Sequence, residues 1–384
     1  MNFVHNGITY DDAFIKNFIA KLNDSLNDIC AFEYNKFINH NFGNFSIIDI
    51  ILDLDRNVPY DNTCPKTIGK TIPSLDTQKT LISEFFSMFG LKDKVQSILD
   101  NTHPDYKTCI SNKLKGSSVG HRGYNEFLTY EVQFNENVEG CAILAHEMGH
   151  ALSNHHAKAM TLAKATNIAE KNFGKDSDEF KTQRQIYRDY TDTRQRNTID
   201  CIGEIESHIT EKLFMYFLVK KGVITKEDFN IFITSSNNNL RRNLTLMIEE
   251  NEIIKELHNP ITEQDFENLY NKFINTSHFN DLFKRISIMA ERKNHPNPNN
   301  WRVCSKHTFR YVVGEIVATM WMKKYLEVEK SKQKIMLKRF VNYLSKTDKC
   351  NLENCCELVL GKGETIDSTI TDYINFISTQ QLNV

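Results

Sequence analysis

Leu128-Thr129-Tyr130-Glu131-Val132-Gln133-Phe134 and, a few residues on, Ala145-His146-Glu147-Met148-Gly149-His150-Ala151-Leu152 carry most of what this sequence says about fold and chemistry. In the first stretch apolar and polar residues alternate, the period of a half-buried strand over 127–134. After Asn135, which suits a helix cap, Cys141, Leu144, Ala145 and Leu152 take up helical spacing, and the pattern continues into Ala157-Lys158-Ala159-Met160. A strand thus feeds a long helix.

Two His four apart on a helix stand one turn above each other, so both imidazoles reach one metal ion. Zinc accepts His nitrogens at about 2.0–2.1 Å and keeps a position for water. Glu147 projects beside that position and suits a base that takes the water's proton. With 13 His in 384 residues, a His-Glu-x-x-His match is expected by chance only about 0.03 times. The competing reading is a structural helix that happens to carry paired His.

A third ligand is needed, and Gly203-Glu204-Ile205-Glu206-Ser207-His208-Ile209-Thr210-Glu211 supplies one. Read as one helix from about 198 to 219, this segment places Glu204, His208 and Glu211 within about 60° of one another. Ile202, Ile205, Ile209 and Leu213 form a separate apolar stripe. On that reading Glu206 faces away, Glu204 is the ligand, and Glu211 orients a zinc-binding His. His156 is the competitor, ten residues after His146, where a three-His pattern places its last ligand. That pattern turns the chain on a Gly, and Ser153 stands here, in a stretch that reads as continuing helix.

Composition narrows the classes. Lys+Arg 47 against Asp+Glu 49 gives net charge −2, so no footprint for nucleic acid or an anionic membrane is visible. Hydrophobic residues at 40%, with 25 Phe, suffice for a sizeable core and exclude a wholly disordered chain. The apolar runs are too short to span a bilayer, and no secretory signal is evident. Nine Cys without a Cys-x-x-Cys match a reducing compartment, so the cytoplasm is the expected location, with export by a route lacking a cleaved signal left open. With only 15 Gly and 7 Pro, the fold reads as mainly α with a small β-sheet. The polar stretch 173–197 interrupts the helical pattern, and Asn294-His295-Pro296-Asn297-Pro298-Asn299 reads as a loop.

The stretch Val138 to His150, followed by Glu204-Ile205-Glu206-Ser207 and Glu211, resembles the thimet oligopeptidase and oligoendopeptidase F family of zinc metallopeptidases, which are gluzincins. Weaker likenesses run in order from Asp53–Pro59 through Phe86–Gly90, Gly123-Tyr124 and Tyr187–Tyr190 to Phe309-Arg310-Tyr311-Val312-Val313-Gly314. The resemblance implies a two-lobed helical metallopeptidase fold with a deep central cleft and one Zn2+ held by His146, His150 and Glu204. It implies Glu147 as general base, Tyr311 as oxyanion donor, and His307 as a weaker candidate at the same site. The strand at 127–134 would be a sheet edge pairing with extended peptide, Tyr130 and Val132 lying on its substrate side. Residues 1–70 would form a reduced N-terminal helical segment and 71–384 the catalytic region, with a charged insertion near 173–197. The expected partner is a peptide or protein substrate. Alternatives are a dedicated protease of one protein target and a catalytically silent zinc-binding scaffold.

Overall fold

The computed structural model describes residues 3–5, 7–27, 36–65, 67–72, 74–120, 127–154, 157–196, 199–256, 262–274 and 304–379. The fold is mainly helical with a small sheet, as the sparse Gly and Pro imply. The described residues divide into two compact units. One is Met1–Val58 with Arg241–Phe309, the other Pro59–Leu240 with Arg310–Val384.

The first unit begins with a hairpin, β1 (Phe3–His5) and β2 (Ile8–Tyr10), then α1 (Asp12–Asn27). A second hairpin, β3 (Asn41–Phe42) and β4 (Phe45–Ser46), runs into α2 (Ile47–Asn57), which starts where Ser46 accepts the Asp49 N–H. Phe18 of α1 meets Phe266 edge-on at 5.1 Å, and the Tyr270 hydroxyl donates to the Val4 carbonyl.

In the second unit α3 (Leu75–Ser87) is capped by Ser74, which accepts the Thr77 N–H, and is followed by α4 (Lys92–Leu99). Three strands follow, β5 (Tyr106–Ser111), β6 (Ser118–Gly120) and β7 (Leu128–Gln133), in the order β5-β7-β6. The pair β5 and β7 is parallel, with Tyr106 opposite Leu128; β6 runs antiparallel to β7, with Ser118 opposite Glu131. Leu128, Tyr130 and Val132 are buried while Thr129, Glu131 and Gln133 are half-buried, so the period of two is a true strand signal.

The expected edge strand is therefore the central one. Both flanks of β7 are hydrogen-bonded, and β6 is an edge strand among the described residues. Tyr130 and Val132 are fully enclosed, and the Tyr130 hydroxyl donates to the Leu144 carbonyl at 2.9 Å, fastening the sheet to the next helix. Alternation reports which face of a strand is buried and says nothing about which flank is paired.

That next helix is α5 (Val138–Leu152), capped by Asn137, which accepts the Gly140 N–H, and not by Asn135. It also ends sooner than its pattern suggests. Ser153 is extended (φ −78°, ψ 152°), and a new helix, α6 (Ala157–Phe173), starts after the break. The polar stretch 173–197 is largely helix: α7 (Asp178–Arg196) packs along α6, the two joined through Gly174 with φ 83°. The chain continues through α8 (Ile199–Ile202), α9 (Ile205–Lys220), α10 (Lys226–Glu256) and α11 (Glu263–Phe273) to α12 (Cys304–Glu327). The last helices are α13 (Lys330–Leu344), α14 (Cys355–Leu360) and α15 (Ile366–Thr379). Trp321 of α12 stacks on Tyr325 and meets Phe340 of α13, forming an aromatic core. Among the described residues no helix is long and apolar enough to cross a membrane.

Candidate metal centre

The site lies in the second unit, where α5 and α9 cross. The crossing is close because residue 149 has no side chain: a Cβ there would stand 2.9 Å from Thr210 Oγ1 and 3.0 Å from the Glu206 carbonyl. The approach brings His146 and His150 against the start of α9. The expected single helix from 198 to 219 is broken at Gly203 and Glu204, between α8 and α9. Glu204 is the first-turn boundary residue of α9 (φ −115°, ψ 0°), so the 100° spacing does not apply across it.

Glu204 is 2% exposed, and its Oε2 lies 3.1 Å from His150 Nε2 and 3.3 Å from His146 Nε2. Ser207 Oγ donates to the same oxygen at 3.0 Å, while Oε1 faces Arg310. His146, His150 and Glu204 can hold a metal ion, with one donor atom from each within 4.8 Å of the others. Three donors at about 2.0–2.1 Å from one tetrahedral ion stand about 3.3–3.4 Å apart, so the two separations to Glu204, here those of hydrogen bonds, are also compatible with shared coordination.

The outer nitrogens are held as well. His146 Nδ1 lies 3.2 Å from Glu211 Oε2, and His150 Nδ1 lies 3.3 Å from Glu206 Oε1. A carboxylate on Nδ1 directs the Nε2 lone pair inward when the ring is neutral, the usual support for a metal-binding His. Burial works against charge on both rings, yet the carboxylates prevail: they hold His146 well above its ordinary value and push His150 up to about 9. Burial would raise Glu204, but His150, His146 and Arg310 hold it well below the carboxylate range.

Glu147 is buried at 7% exposure, and burial raises its pKa, an effect that His150 and His146 partly offset. A carboxyl so displaced toward neutrality is suited to take up and return a proton. On α12, Gly314 lets the helix approach Glu204, since a Cβ there would stand 2.8 Å from the Glu204 Cβ. Tyr311 on the same helix is half-buried, its ring 6.3 Å from that of His208. His208, whose ring is 5.4 Å from that of His146, places Nδ1 3.1 Å from Glu315 Oε2, and Glu315 Oε1 binds the buried Lys212 ammonium.

Sequence reasoning and structure thus bring together His146, Glu147, His150, Glu204, Glu211 and Tyr311 in one place. Tyr130 and Val132 belong to the core beneath the site and are not available to substrate. His307 falls in the first turn of α12, but its side chain lies outside the described residues, as does His156. The break after Leu152 removes the continuing helix that argued against His156. Two groups were missed. Glu206, which a single helix would turn away, holds His150 because the helix restarts at Glu204; the Gly beside that Glu is the available signal. Arg310 carried no signal beyond its place next to Tyr311.

No family model and no curated protein matches the sequence. One solved structure that is similar is named "Crystal structure of putative peptidase from Chlamydophila abortus". The identity is 15% and the TM-score 0.43, over 96% of this chain and 56% of that one, so this chain spans little more than half of that protein's length. A likeness at this level carries no functional argument.

Proposed function

We propose that the protein is a zinc-dependent peptidase, an endopeptidase or oligopeptidase that cleaves peptide bonds with an activated water. The observation that carries this reading is the convergence of His146 and His150 Nε2 on Glu204 Oε2, with each Nδ1 held by its own carboxylate. A zinc ion held there would acidify a water and polarise the scissile carbonyl. Glu147 takes the proton of the attacking water and returns it to the leaving amine. Tyr311 donates to the oxygen on which charge develops. Extended peptide would pair with an edge of the sheet, β6 or β5 among the described residues.

The test is elemental analysis of the wild type and Glu204→Ala, with cleavage of a quenched fluorescent peptide library. One zinc per chain, sharply weakened without Glu204 and accompanied by cleavage, supports the reading. Glu147→Gln should keep the metal and lose roughly 10²–10⁴ in rate. Metal retained in full by Glu204→Ala, or cleavage unaffected by Glu147→Gln, overturns it.

A further inference from the structure

Arg310 reaches two groups of the site at once. Its Nε stands 3.1 Å from Glu204 Oε1, and its Nη2 donates to the Tyr311 hydroxyl oxygen at 3.0 Å. The guanidinium carbon lies 5.0 Å from the centre of the Tyr311 ring. The two oxygens of Glu204 therefore have different surroundings. Oε2 faces the two His and Ser207, and Oε1 faces a permanent cation.

We propose that Arg310 is a positioning residue that keeps Glu204 a one-oxygen ligand and sets the direction of the Tyr311 hydroxyl. The inference rests on the metal reading above. A carboxylate beside a divalent ion can bind through one oxygen or both, and the second mode fills the position that a water or a carbonyl needs. An ion pair on Oε1 opposes that second mode. At Tyr311 the hydroxyl oxygen accepts from Arg310, so the phenol's own hydrogen points away from the guanidinium. Only a planar fork with several donors can serve both groups together; a lysine ammonium is a single point charge. Gly314, one turn on, gives α12 the close approach that the bracket requires.

A merely structural Arg310 would neutralise buried charge and nothing more, so the test must read coordination as well as rate. The metal-free wild type, Arg310→Lys and Arg310→Met are loaded with Co²⁺, whose visible absorption is strong when four-coordinate and weak at higher coordination. Affinity is measured in parallel by chelator competition, peptide cleavage on the zinc-loaded proteins, and folding by thermal unfolding. The expected result is a Co²⁺ band that weakens from wild type through Arg310→Lys to Arg310→Met. Both variants bind the ion, and kcat/KM falls roughly 10²-fold in Arg310→Met with KM little changed. Wild-type spectra and rates in both variants overturn the proposal. So does loss of metal in a folded Arg310→Lys, which would make Arg310 a charge partner only. Failure of the wild type to bind Co²⁺ or Zn²⁺ would instead overturn the metal reading itself.

Discussion

Lys212 Nζ lies 2.7 Å from Glu315 Oε1, and the side chains are only 1% and 4% exposed. The ion pair joins α9 to α12 behind the candidate site, and Glu315 also holds His208, so a buried charge network backs the ring that lies against His146. Removing one partner strands the other. Lys212→Met should destabilise the fold by about 3–5 kcal/mol, and Lys212→Met with Glu315→Leu should recover much of that. Urea unfolding of the two proteins checks it.

The same pair fixes an acid response. Burial would raise Glu315, but Lys212 and then His208 hold it down to about 2, below its ordinary 4.5. A carboxyl depressed in the folded state contributes stability that is complete above its unfolded value and is lost as pH falls through the folded one. The contribution should therefore be intact above pH 4.5 and disappear between there and about 2. Glu315→Gln should flatten that part of the stability curve, measured by urea unfolding from pH 6 downward.

Metal uptake should be coupled to protons. Without an ion, burial lowers both rings, but Glu204 and Glu206 push His150 up to about 9, and Glu204 and Glu211 hold His146 well above its ordinary value. Both rings must give up their protons to become ligands. Affinity should rise with pH until both rings are neutral, through about 9 for His150, with more than one proton released per ion near pH 7. Calorimetry in two buffers of different ionisation enthalpy counts them. The stability of the metal-free protein runs the other way. Raised His values stabilise fully below 6.5, and the His150 contribution is lost as pH rises through about 9.

Glu206 and Glu211 hold the outer nitrogens of the two His without being ligands. Glu206→Gln and Glu211→Gln should each weaken zinc binding by about 10–100-fold while leaving one site per chain. Competition against a chelator of known affinity is the measurement. An unchanged affinity in both would mean that the carboxylates do not support the ligands.

At Gly149 the space for a methyl group is taken by Thr210 and the Glu206 backbone. Gly149→Ala should force α5 and α9 apart, at about 1–3 kcal/mol, and weaken the His150–Glu206 contact. Both the melting temperature and the zinc affinity should fall.

The local patterns were legible where local physics decided the outcome. The alternation at Leu128–Gln133 and the helix carrying His146 and His150 follow from the side-chain period alone. What could not be read depends on pairing partners and on breaks that side-chain period does not report. The flank of β7 is closed by β6, eight or more residues upstream, and alternation is the same for a central and an edge strand. The break after Leu152 falls at Ser153-Asn154, weak helix formers whose signal is hidden between good formers on either side. Glu206 faces His150 only because Gly203-Glu204 is a joint and not helix interior. Arg310 is tied to its site across more than a hundred residues, a separation that no periodicity spans.

Glu204 sits at a joint between two helices, and what seats it comes from much later in the chain. His146, His150 and Glu204 are all present once residue 204 exists, yet Gly314 and Arg310 close around Glu204 only after another hundred residues are in place. A growing chain would thus own its ligands long before it could hold them in register. The candidate site can therefore hold an ion in register only at the end of synthesis, once α12 has closed on Glu204.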